Sequence, residues 1–172
     1  MKPPPQVMMG FEPGPQVQAD YNNNPIVATV DGKYCEFRSE FEYRWAKYLQ
    51  YQLKLGKILD WEYEATNYDF REFGYTTIKT YLADFDVTQL DESMIRQECK
   101  GKLEAKDIEK FKRVQKHFPG DRIELILYRI PQSGSKGAAI RANALRFVER
   151  IINAEKVFHT TRNEVNYEVP WY

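Results

Sequence analysis

Cysteine is scarce in this chain of 172 residues, with Cys35 and Cys99 the only two. Both fall in strand-like segments, where a lone cysteine serves as a small buried hydrophobe, and neither has partners at the spacing a zinc site needs. Long apolar runs are missing too, so no segment is expected to span a bilayer, and the first residues do not resemble a signal peptide. These absences predict a cytoplasmic protein with reduced thiols. Net charge is also absent, since 25 Lys/Arg balance 25 Asp/Glu, which at first argues against a nucleic-acid partner. The distribution argues otherwise. Residues 1–98 hold 10 basic against 16 acidic side chains, and residues 99–172 hold 15 against 9. Acids gathered in one half and bases in the other suit a protein that binds metal and phosphate, though an ordinary soluble protein can share the asymmetry. No internal repeat is visible.

Aromatic residues, by contrast, are plentiful: 12 Tyr, 10 Phe and 3 Trp. They exclude a wholly disordered chain, and the length suits one domain with a real core. Residues 1–25, rich in Pro, Asn and Gln, read as a mobile arm; residues 26–157 read as the folded domain and 158–172 as a polar tail. Asp31-Gly32 between two β-rich runs predicts a two-residue hairpin. Ser39 is a natural N-cap for a helix ending near Gly56, with Phe41, Trp45, Tyr48, Leu49 and Leu53 inward. Leu59, Trp61 and Tyr63 alternate with acids, as a half-buried strand does. A less regular stretch, 65–74, leads into one long strand over about 76–88. A helix is expected from about Leu103 to His117, then a central apolar strand over residues 122–130, reached by a parallel crossover. A last helix is expected from Ala138 to about Val157, with Ile140, Ala144, Phe147 and Ile151 inward.

The stretch from Tyr81 to Gly101 carries the chemistry. It reads as two strands joined at Asp91-Glu92-Ser93, with Tyr81, Ala83, Phe85 and Val87 on one face and Asp84 and Asp86 on the other. Glu98 and Lys100 are two residues apart and share a face. If the strands pair as neighbours, Asp84 lies beside Glu98 and Lys100. Two carboxylates and an ammonium in one patch are what a magnesium-dependent phosphodiesterase needs, because the acids hold a hard cation and the lysine polarises or positions a water. Glu42, three residues after Ser39, is either a capping-box side chain or a third acid delivered to that patch. Asp86 is a weaker further ligand. Lys106, Lys110 and Arg113 recur at i, i+4 and i+7, with Lys102 a turn earlier; they form either a solvated face or a track for DNA phosphates. His117 is either a local cap or a phosphate contact. An HNH-like site from His159, Arg162 and Asn163 lacks its supporting framework.

Ala83-Asp84-Phe85 followed by Glu98-Cys99-Lys100-Gly101 resembles the PD-(D/E)XK nuclease superfamily. The run from Val30-Asp31-Gly32 through Phe37-Arg38-Ser39-Glu40-Phe41-Glu42 is similar to a phage- and prophage-encoded branch of it, related to Holliday junction resolvases. The likeness covers roughly residues 26–130, and Ala83 stands where the family name has proline. The resemblance implies an α/β fold with a restriction-endonuclease-like core, a mixed central sheet flanked by helices. It implies Glu42, Asp84, Glu98 and Lys100 as catalytic residues, with Glu40 as the fallback for Glu42. Asp84, Glu98, the Cys99 carbonyl and Glu42 would hold Mg²⁺, for which Mn²⁺ can substitute, and binding should weaken as pH falls. Lys102, Lys106, Lys110 and Arg113 would face DNA. The implied activity is a metal-dependent DNA endonuclease, structure-selective and resolvase-like, acting in phage DNA processing and recombination on branched DNA as a homodimer. Its location would be the host cytoplasm if the chain is phage-encoded. The alternative is a non-catalytic nucleic-acid or protein-binding module on the same fold.

Overall fold

A computed structural model describes residues 25–164; the 1–25 arm, all but its last residue, and the end of the 158–172 tail lie outside them. The chain opens with a hairpin of β1 (Ile26–Val30) and β2 (Lys33–Phe37). Its turn residues Asp31 and Gly32 both take positive φ, 54° and 74°, the backbone that a two-residue turn needs and that aspartate and glycine tolerate best. Helix α1 (Glu40–Lys54) follows, with the Ser39 hydroxyl accepting the Glu42 amide at 3.2 Å. Trp45 and Leu49 are buried along its inward stripe, and Gly56, at φ 64°, turns the chain away.

Five strands form the main sheet: β3 (Asp60–Tyr63), β6 (Phe85–Thr88), β7 (Met94–Lys100), β8 (Arg122–Leu127) and β9 (Arg150–Asn153), hydrogen-bonded in that order. The first two pairings are antiparallel and the last two parallel, so the sheet is mixed. The parallel pairings require crossovers, supplied by α2 (Ala105–His117) and α3 (Lys136–Ala144). Helix α4 (Ala154–Glu164) closes the described chain. The fold is α/β, a mixed central sheet flanked by helices, as expected. Each sheet face covers its own core. One gathers Phe37, Trp45, Leu49, Trp61, Phe85 and Phe158 under the hairpin, α1 and α4. The other gathers Tyr81, Ile108, Phe111 and Leu125 under α2 and α3. No helix among the described residues is long and apolar enough to cross a membrane.

Three expectations change. The long strand over 76–88 is two strands: β5 (Thr80–Leu82) pairs with β4 (Asn67–Asp69) as a separate ribbon, and the chain re-enters the main sheet only at Phe85. Tyr81 and Ala83 therefore pack in one core while Phe85 and Val87 pack in the other. The helix expected over 138–157 is interrupted by β9, because the β-branched pair Ile151-Ile152 extends the parallel ladder beside Leu125 and Ile126. A boundary at residue 158 would cut α4, whose Phe158 is buried against Trp45 and Phe41.

Candidate active site

Asp84 lies at the break between two ladders. The Ala83 amide bonds to the Thr66 carbonyl at 3.0 Å, and the Asp84 carbonyl accepts the Glu64 amide at 2.9 Å. The β6–β7 ladder ends on Phe85 opposite Gln97, and beyond that end Glu98 lies near enough to raise the Asp84 carboxyl. Past the end of β6, the Cys99 amide donates to the Asp84 carboxylate at 2.7 Å. The N–H and C=O of one strand residue face the same neighbour, while the Lys100 carbonyl is turned to β8 and accepts the Tyr128 amide at 3.1 Å. The Cys99 carbonyl consequently points to the Asp84 side, where a backbone ligand is expected.

Glu98 is 1% exposed. One of its oxygens is 2.7 Å from the Lys100 ammonium, and the other, Oε2, is buried without a hydrogen-bond partner. Burial opposes charge on Lys100, but Glu98 and Asp84 outweigh it and hold the ammonium above its ordinary range. Lys100 also lies 3.8 Å from Asp107 in the first turn of α2. Asp84 is equally buried, and its carboxyl is pushed well above the usual carboxylate range by burial, then by Glu98 and Glu42; Lys100 and Arg38 pull against that without cancelling it.

Glu42 does not close a capping box, because its carboxylate meets the amide of Arg38 and not that of Ser39. Its amide is capped by Ser39, while its carboxylate accepts the Arg38 amide at 3.0 Å and the Tyr63 hydroxyl at 2.7 Å. It is also near enough to bear on Asp84. Glu40 is exposed. Asp86 is bonded to Thr66 and lies 3.4 Å from Arg96.

Arg38 went unsuspected. Its guanidinium donates to Asp84 and lies 2.8 Å from Glu64 and 3.9 Å from Glu42. Three acids thus converge, with an arginine between them and a lysine on the fourth. Among the described residues no group of three or more His, Cys, Asp or Glu side chains is drawn together as a metal-ready cluster. The donor set still fits a hard divalent ion. It is all oxygen, the Glu98 Oε2 atom is buried and unpaired, and Arg38 is the most exposed member of the group at 55% of its side chain. The sequence signal for Arg38 was nil, since Asp84 is 46 residues away. Tyr63 and Tyr81 were also missed: the first braces Glu42, and the second is buried beside Glu98, which together with burial keeps it a neutral phenol.

The basic track does not hold together. Arg113 is a correction: it is 5% exposed and donates to the carbonyls of Thr77 and, at 2.7 Å, Ile78. Those carbonyls belong to the loop before β5, where Ile78 has φ 48°, and the guanidinium satisfies them while lying 4.0 Å over the Tyr75 ring. Arg113→Met should cost about 2–3 kcal/mol in urea unfolding by leaving them unpaired, whereas Lys106→Ala should stay within about 0.5 kcal/mol. Lys110 is half-buried 3.7 Å from Asp107. Lys106 is exposed and paired with Glu104 at 2.8 Å, and Lys102 is exposed. His117 stacks on Phe73 at 3.9 Å between centroids and lies 3.1 Å from the Tyr75 hydroxyl, a long-range packing contact and not a local cap. Both cysteines are buried and free. No protein-family model matches the chain, and neither does any curated protein or solved structure.

Proposed function

We propose that the protein is a metal-dependent DNA endonuclease of the PD-(D/E)XK type, structure-selective and acting on branched DNA. One observation carries the reading: Asp84 and Glu98 lie near enough at a ladder end for Glu98 to raise the Asp84 carboxyl, with Lys100 2.7 Å from Glu98 and the Cys99 amide 2.7 Å from Asp84. Asp84, Glu98, the Cys99 carbonyl and Glu42 are the groups that would hold Mg²⁺ or Mn²⁺. When bound, the ion neutralises charge on the scissile phosphate and lowers the pKa of a water. Lys100, 2.7 Å from Glu98, would orient the attacking water or stabilise charge on a phosphate oxygen. Tyr63 holds the Glu42 carboxylate in place. Strand-symmetric cutting of a junction calls for a two-fold dimer, and the outer hairpin face, with Val27 and Tyr34 exposed, is the proposed contact.

A second reading has its own observation. Arg38 bonded to Asp84 already supplies that carboxylate with a cation from the chain itself, which suits a binding module. Labelled four-way junction, duplex and single strand, each with Mg²⁺ and with chelator, separate the two. Mg²⁺-dependent junction cleavage at defined positions supports the nuclease, and tight metal-independent binding without any cleavage supports the module.

A further inference from the structure

A cavity of about 550 Å³ opens beside Lys100 on the α2–α3 face of the sheet. It begins at Gly101, the residue after Lys100, and its floor includes Leu127, the ladder partner of Lys100 on β8. It thus lies outside the carboxyl ends of two parallel strands, where open α/β sheets bind ligands. Leu103, Leu127 and Ile140 make it apolar inside, and Lys102, Arg129 and Lys136 ring it. Among the described residues, neither Lys102 nor Lys136 is within ion-pair distance of an acid. Arg129 is paired with Glu155 at 2.8 Å, and Glu104, the one acidic residue lining the cavity, is occupied with Lys106 and with capping α2. The size lies within the range of small-ligand sites.

We propose that this cavity receives one unpaired nucleotide of the DNA strand next to the scissile phosphate. The proposal rests on the nuclease reading and adds the feature that the substrate must have. An apolar slot ringed by cations matches a base flanked by phosphates. A concave slot cannot take a base that remains inside a duplex stack. Entry therefore requires unpairing, which is cheap at a branch point, bulge or single strand and costs a few kcal/mol in intact duplex. Structure selectivity follows without any reader of base sequence, through the cost of emptying the stack and not through contacts to base edges.

The test uses the full chain in chelator, titrated with a duplex carrying one bulged 2-aminopurine and with the same duplex fully paired. Wild type should prefer the bulged DNA by about tenfold or more, with a fluorescence change on binding. Ile140→Trp fills the cavity, and Lys136→Glu reverses a rim charge in the first turn of α3, where a glutamate suits the helix dipole. Lys136 is exposed, so its variant keeps the test decisive if Ile140→Trp does not fold. Both should reduce the preference to within about twofold, with paired-duplex affinity falling far less. A preference that survives in folded Lys136→Glu and Ile140→Trp overturns the cavity proposal and leaves the nuclease reading intact. Cavity-dependent preference in a chain that never cleaves with Mg²⁺ overturns the nuclease reading alone. A chain with no affinity for either DNA overturns both.

Discussion

Glu98→Gln is expected to lower Mg²⁺-dependent junction cleavage by about 10³-fold while leaving unfolding free energy within about 1 kcal/mol of wild type. Glutamine preserves shape and one hydrogen-bond acceptor for Lys100, so packing in a position only 1% exposed is kept. What it removes is the charge on the second oxygen, which is buried and unpaired, the atom best placed to gain from a cation. Stability is expected to hold because two effects oppose. Lys100 loses half of its compensation, but Asp84 loses the like charge that, after burial, contributes most to raising its carboxyl. The paired measurements are single-turnover cleavage at saturating Mg²⁺ and urea unfolding in chelator. Full cleavage by a folded Glu98→Gln would remove this glutamate from the chemistry. Collapse of the fold would instead make Glu98 a structural partner of Lys100.

The sequence made some of this plain, and the reasons differ residue by residue. Asp31-Gly32 declared its hairpin because turn chemistry is local. Glu98 and Lys100 declared a shared face because a strand repeats every two residues. Asp84 joins them on the premise that the two strands are neighbours, although the break between β5 and β6 beside it leaves no periodic sign. Alternation through Tyr81, Ala83, Phe85 and Val87 looked continuous, since both cores demand apolar residues there. Residues 138–157 kept a helical apolar period through a strand for a similar reason: Ile151 serves either geometry, and the parallel ladder with β8 decides. Arg113 matched the spacing of exposed lysines, but two stranded carbonyls on a distant loop turned it inward. Long-range polar demands of this kind leave no periodic trace, and Arg38 is the clearest case.

Arg38→Ala is expected to act in opposite directions on the empty and the metal-loaded protein. Without metal, the buried Asp84 carboxylate would face Glu42 and Glu98 with only Lys100 in compensation, and Glu64 would lose its partner at 2.8 Å. Removing one side of a buried ion pair costs several kcal/mol, but this guanidinium is 55% exposed, so solvent screening reduces the loss to about 2 kcal/mol. With metal, the displaced competitor no longer has to be paid for, and Mg²⁺ should bind about tenfold tighter than to wild type. Proton competition points the same way in both proteins. A carboxyl held above its ordinary range must lose its proton before it can take a cation, so Mg²⁺ affinity should rise with pH up to the folded pKa of Asp84 and level off above it. Linkage gives the matching sign for stability in chelator. The folded state binds that proton more tightly than the unfolded chain, so from about pH 4, the unfolded carboxyl's range, stability due to Asp84 should fall as pH rises. Adding Mg²⁺ should then stabilise Arg38→Ala by more than it stabilises wild type. Thermal unfolding with and without Mg²⁺, with calorimetric titration of the ion, reads all of these together. An arginine that merely decorated the surface would leave the melting of the metal-free protein and the Mg²⁺ affinity unchanged on substitution.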